Sequence, residues 1–135
     1  FWLDRMDGSA QAAEPAARVA RADDGHYWAR ASIEGRPVDL MVDTGASLVV
    51  LTRQDAERLG YRLDDADYSV RLNTAAGSVA AAPIRLAMVG VGSARVERVA
   101  ALVAADGLPH SLLGMSYLGR LSGFEATPTS LILHP

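Results

Sequence analysis

The sequence predicts a small all-β domain, closed into a barrel or packed as a sandwich, with one or two short helices. Three observations carry that prediction. Short segments of alternating apolar and polar residues, bounded by turn formers, recur from His26 to His134. One run, Leu48-Val49-Val50-Leu51, is apolar throughout, the pattern of a strand buried on both faces. A single stretch, residues 53–59, carries clear helix start and stop signals.

The elements follow in order. Residues 1–24 are rich in Ala and charge and are broken by Gly8 and Pro15, which predicts a tether with a short helix around Ala16 to Ala22, ahead of a domain over 25–135. Phe1-Trp2-Leu3 reads equally well as the tail of a removed segment, such as a membrane anchor upstream, or as residues that pack on the domain or fray. From His26, HYWARASIE runs into a turn at Gly35-Arg36-Pro37, and VDLMV returns with Val38, Leu40 and Val42 alternating. That is a hairpin whose second strand ends at Asp43.

After LVVL, Thr52 is placed to cap the helix RQDAERL, with Asp55 at the third helical position and Gly60 as the stop. A further hairpin joins YSVRLN to SVAAAPIRLAMVGV around the small-residue tip Thr74-Ala75-Ala76-Gly77, and Pro83 marks an edge or a bend. RVERVAALVAA (95–105), SLLG (111–114), a short helix through Ser116 to Leu121 and a last strand TSLILH complete the chain.

Composition narrows the function. With 135 residues the chain has the length of one domain. A net charge of -3 and scattered arginines offer no basic field, so nucleic acid is not an expected partner. Cysteine is absent, and His26, His110 and His134 lie too far apart to form a local ligand motif; neither a metal nor a cofactor is expected. Trp28, Tyr117 and Phe124 are expected in the core, Tyr68, Arg71, Arg85 and Arg120 on a solvated face, His110 in a loop, and Asp39 exposed on its strand.

The stretch MVDTGASLVV (41–50) sets an acid, a hydroxyl and a glycine between two apolar runs. Asp-Thr-Gly alone arises by chance in roughly one chain in a few tens of this length. Here it follows an alternating strand, precedes a buried run, and is answered by Leu112-Leu113-Gly114 opening a helix. In that conjunction the sequence resembles the retropepsin-like aspartic proteases, specifically single-domain bacterial members with V-D-T-G-A-S after a G-R-P-V hairpin and L-L-G-M-S-[FY]-L near the end. The resemblance covers about residues 25–134.

The resemblance implies a small closed barrel in which VDTG and LLG cross as a ψ-shaped pair of loops. It implies an endopeptidase acting on extended peptide through a water activated by Asp43, and a periplasmic domain anchored to the inner membrane. Metal-free hydrolysis without a covalent intermediate needs one group to take a proton and another to give one. Two carboxylates about 3 Å apart share one proton and do both. One Asp-Thr-Gly per chain therefore requires a homodimer, with Asp43 from each protomer.

Thr44 and Gly45 are expected to support the site, and Ala46 and Ser47 to contact substrate. The tip Thr74, Ala75, Ala76 and Gly77 stands where the family's flap closes over the peptide. Each also has a plain reading, as a turn bond, a positive-φ glycine or an ordinary hairpin tip. Ser47 and Met115 depart from the retroviral pattern, where an aspartate and an arginine pair at those places. A homodimeric peptide-binding module without catalysis stands as the alternative. A phosphate-gripping Asp-x-Gly loop is disfavoured, since no glycine-rich cradle opens a helix.

Overall fold

A computed structural model describes residues 16–74 and 77–135. In chain order the elements are β1 (Ala17–Ala20), β2 (Trp28–Ile33), β3 (Arg36–Val42), β4 (Val49–Thr52), α1 (Arg53–Arg58), a 3₁₀ turn (Asp65–Asp67), β5 (Val70–Thr74), β6 (Gly77–Val91), β7 (Ala94–Ala104), β8 (Leu112–Leu113), α2 (Met115–Leu118), β9 (Gly123–Ala126) and β10 (Ser130–His134). The larger sheet runs β2-β3-β8-β4-β7-β6-β5, and β2 pairs again with β6. Six strands thus close into a barrel, with β5 hanging from β6 as the outer arm of a long hairpin. The expected all-β class and closed barrel are what the chain forms.

The first hairpin shows how local chemistry sets register. Glu34 and Gly35 both take positive φ, 52° and 85°, and Ile33 faces Arg36 across a two-residue turn. That geometry matches the right-handed twist of the strands it joins. The turn is therefore Glu34-Gly35, and Arg36 and Pro37 already belong to β3, which begins two positions earlier than the sequence suggested. Register then buries Val38 and Leu40 and leaves Asp39 exposed, where it pairs with Arg30 at 3.1 Å.

In β4, Val49, Val50 and Leu51 are all buried, as an unbroken apolar run between neighbouring strands requires. Thr52 caps α1 by accepting the Asp55 N–H at 3.1 Å. Pro83 lies beyond the end of the β5 pairing and before the β2 pairing, where this flank of β6 has no strand beside it. Glu34 fills part of that gap, accepting the Ala87 N–H at 2.8 Å and the Tyr61 hydroxyl at 3.0 Å.

Residues 17–20 correct an expectation. They form β1, paired antiparallel with β10, which in turn pairs with β9. Ala17 and Val19 are buried while Arg18 and Ala20 are exposed, a two-residue period that tertiary pairing imposes on an alanine-rich stretch. The expected helix through 16–22 does not form. The helix near the end is shorter than expected, Met115–Leu118, and β9 was not anticipated.

One core fills the barrel and reaches under the terminal sheet, with Ile33, Leu40, Leu51, Leu86, Leu113 and Leu133 all inaccessible. Tyr117 sits in it too, donating its hydroxyl to the Ala94 carbonyl at 2.5 Å. Phe124 packs against the core half-buried, but Trp28 is half-exposed and not a core residue. Arg71, Arg85 and Arg120 are exposed as expected, and Tyr68 is half-buried beneath the Arg53 guanidinium, 4.7 Å from its ring centre.

Burial pushes the Tyr117 phenol up to about 12 from an ordinary 10.0, and burial together with Glu34 does the same for Tyr61. The unfolded phenols ionise first, so stability should be level below about pH 10 and fall as pH rises toward 12. Urea melts at stepped alkaline pH should show that fall, and Tyr117→Phe should make it shallower. At neutral pH the same variant should lose about 1 kcal/mol, the usual net worth of one hydrogen bond.

Candidate active site

The site is built where β3, β8 and β4 meet. Strand β8 lies between the other two, parallel to β3 with Met41 opposite Leu112 and Val42 opposite Leu113, and antiparallel to β4 with Val50 opposite Leu112. β3 and β4 are consecutive in the chain, so the loop joining them, residues 43–48, must arch over the end of β8. The two halves anticipated from VDTG and LLG do cross here.

Main-chain bonds hold the crossing. Asp43 N–H donates to the Leu113 carbonyl at 3.1 Å, and Met115 N–H donates to the Ala46 carbonyl at 2.8 Å. Gly114 occupies the closest approach. A Cβ there would stand 2.2 Å from the Leu48 carbonyl oxygen and 2.7 Å from that of Ala46, distances no side-chain carbon tolerates. Ser116 adds a polar pin, accepting the Val49 N–H at 2.8 Å and donating to the Ala100 carbonyl at 2.7 Å. Ser111, which is buried where Ser116 is only half-buried, accepts the Thr52 N–H at 3.0 Å and donates to the Asp55 carboxylate.

Asp43 stands half-buried at the tip of this arch, and one carboxylate oxygen accepts the Gly45 N–H at 2.9 Å. That bond fixes the carboxyl plane from inside its own loop. Gly45 lacks a positive φ, and a Cβ on it would come 3.2 Å from the same oxygen. Its smallness therefore serves the carboxylate, not a left-handed turn.

Asp43 lines a cleft of about 620 Å³. Gly45, Ala46 and Ser47 line it from the same loop, and Asn73 and Thr74 line it from the long hairpin. Thr44 is exposed beside the cleft, and Gly77, at a φ of 120°, begins β6 outside its lining. Ala75 and Ala76 lie outside the described residues. Ser47 is exposed, and the contact between its loop and Met115 is carried by backbone.

Sequence reasoning missed the far wall. Leu102, Leu108, Pro109 and His110 line the cleft as well, and the His110 ring meets Trp28 edge-on, with centroids 4.7 Å apart and planes at 87°. The available signal was position: a segment leading into an apolar-apolar-Gly motif paired with the aspartate strand has to pass beside the aspartate. The loop reading of His110 stands, and this loop is part of the site.

The family description "gag-polyprotein putative aspartyl protease" matches residues 29–120. The chain belongs to the retropepsin-like aspartic protease family. Its fold matches a retropepsin-like aspartic protease from Rickettsia conorii with a TM-score of 0.78 and 39% identity, over 87% of this chain and 98% of that one. The EIAV protease in complex with the inhibitor HBY-793 shares the fold, with a TM-score of 0.60 and 23% identity over 74% of this chain and 91% of the other. An uncharacterised protein of Rickettsia prowazekii (strain Madrid E) is 40% identical over 86% of this chain. One from Sinorhizobium, described by its place in the cobV 5′ region, is 39% identical over 81%. This retropepsin-like chain spans about half the length of those two relatives, 50% and 47%.

Gly114→Ala should destabilise the domain by about 3 kcal/mol or more, because two carbonyls of the aspartate loop must move. Ser116→Ala should cost roughly 1–3 kcal/mol by stranding the Val49 N–H. Denaturant midpoints at constant m-value would measure both.

Proposed function

We propose that this chain is an aspartic endopeptidase that cleaves extended polypeptide segments as a homodimer, with the Asp43 carboxylates of two protomers forming the catalytic pair. The supporting observation is that the ψ crossing presents a single Asp, half-buried and held by the Gly45 N–H, at a largely apolar cleft of about 620 Å³. No other acid lines that cleft among the described residues. One carboxyl group cannot both accept and donate a proton in the same step, so the second comes from the symmetry mate.

In the proposed step the ionised carboxylate takes a proton from a water placed between the two groups. The protonated one gives its proton to the substrate carbonyl oxygen, and hydroxide adds to the carbon. The resulting diol collapses as the carboxyl that took the water's proton gives it to the leaving nitrogen, the other carboxylate takes a proton from a diol hydroxyl, the C=O bond re-forms and the C–N bond breaks. The pair ends as it began, with one proton shared. In this reading Thr44, exposed next to Asp43, bonds across the dimer contact, and the long hairpin, whose Asn73 and Thr74 line the cleft, serves as the flap.

Asp43→Asn should abolish cleavage of a denatured protein substrate, by at least about 10³-fold, since an amide can neither accept the proton nor share one. Activity should follow a bell in pH, failing in acid when both carboxyls are protonated and in base when both ionise. Specific activity should fall on dilution as protomers separate. Equal cleavage by the Asp43→Asn protein, or activity independent of concentration in a monomer, would sink the reading.

A further inference from the structure

Asp43 and His110 are the only titratable side chains lining the cleft among the described residues. Most of its wall is apolar, with Met41, Leu72, Leu102, Leu108 and Leu112 around the two of them, and no arginine reaches it. A substrate side chain entering there meets mostly hydrocarbon; the polar side chains are the Ser47 and Thr74 hydroxyls, the Asn73 amide, the catalytic carboxyl group and one imidazole, and of these only the imidazole can offer a positive charge.

That imidazole is held in place. His110 is exposed in a loop, yet its ring packs edge-to-face on Trp28, and the Trp28 indole N–H is tied to the Asp24 carboxylate at 3.0 Å. Asp24 is anchored in turn by the His26 N–H at 2.9 Å, and those two bonds, the backbone one first, hold its carboxyl below the usual range. A ring oriented before the ligand arrives loses less entropy on binding than a free one.

We propose that His110 is a specificity-determining residue that selects substrates carrying an aspartate or glutamate side chain beside an apolar one. The inference rests on the endopeptidase reading above. A carboxylate leaving water for an apolar wall needs a donor there, and the imidazole supplies an N–H in either protonation state and a positive charge in one. A basic side chain finds no carboxylate in the cleft other than Asp43 among the described residues. Trp28 acts as a positioning residue, through the ring it holds.

The test uses peptides identical except for Glu or Gln at each position flanking the scissile bond, cut by the dimeric protein at the pH of its maximal activity. Wild type should favour Glu at one position by about tenfold in kcat/KM, the scale of a charge-assisted hydrogen bond. His110→Leu should bring that ratio near one, Trp28→Leu should lower it, and His110→Arg, which keeps a cation, should retain it. Binding of the same pairs to Asp43→Asn protein, followed by fluorescence anisotropy, reads the ratio independently of cleavage. Absence of any Glu preference in wild type, or its survival in His110→Leu, overturns the proposal. Should wild type cut nothing while the binding ratio still depends on His110, the endopeptidase reading fails, and what stands is recognition of an acidic side chain by His110 in a bound peptide.

Discussion

The close passage of one backbone over another at Gly114 is the constraint on which the rest of the molecule depends. Two carbonyls of the aspartate loop lie where a Cβ would have to be. The bonds from Asp43 to Leu113 and from Met115 to Ala46 can form only because that space is empty. Remove the contact and β8 no longer fits between β3 and β4. Barrel closure and placement of the aspartate are therefore one event. This accounts for the presence in one chain of two short motifs that look unrelated along it.

Around the crossing, polar groups finish what hydrophobic burial starts. An interior of Val, Leu, Ile and Ala leaves strand ends with orphan amides where the ladder breaks off. Ser116 takes up one at Val49 and Ser111 another at Thr52, each hydroxyl also donating onward, to Ala100 and Asp55. Ser111 joins the first turn of α1 to the residue before β8, so the helix is fastened to the strand beside the cleft. The sheet-edge gap along β6 is met differently, by the Glu34 carboxylate reaching out of a tight turn.

Much of this was legible in the residues. LVVL announced a strand buried on both faces, and Thr52 with Asp55 announced a helix start, because each signal is local and no long-range contact competes with it. The terminal strands were not legible. ARVA reads as a helix former until β10 offers it a ladder, and GFEA is too short to show a period. At the site, the Asp-Thr-Gly loop identified itself through a motif whose chemistry is contiguous. Trp28 and His110 did not, because the register of β2, β3 and β8 brings them together from distant parts of the chain.

Closure of the barrel rests on very unequal seams. From Ala81 opposite Ala104 to Val91 opposite Ala94, β6 and β7 are zipped along most of their length, whereas β8 meets β4 only at Leu112–Val50 and β3 only at Leu112–Met41 and Leu113–Val42. Under tension or thermal agitation a cylinder stitched this way tears along its shortest stitching. The wall would then part first along β8, beside the aspartate, and the amides around Leu112 would be the first in it to exchange with solvent.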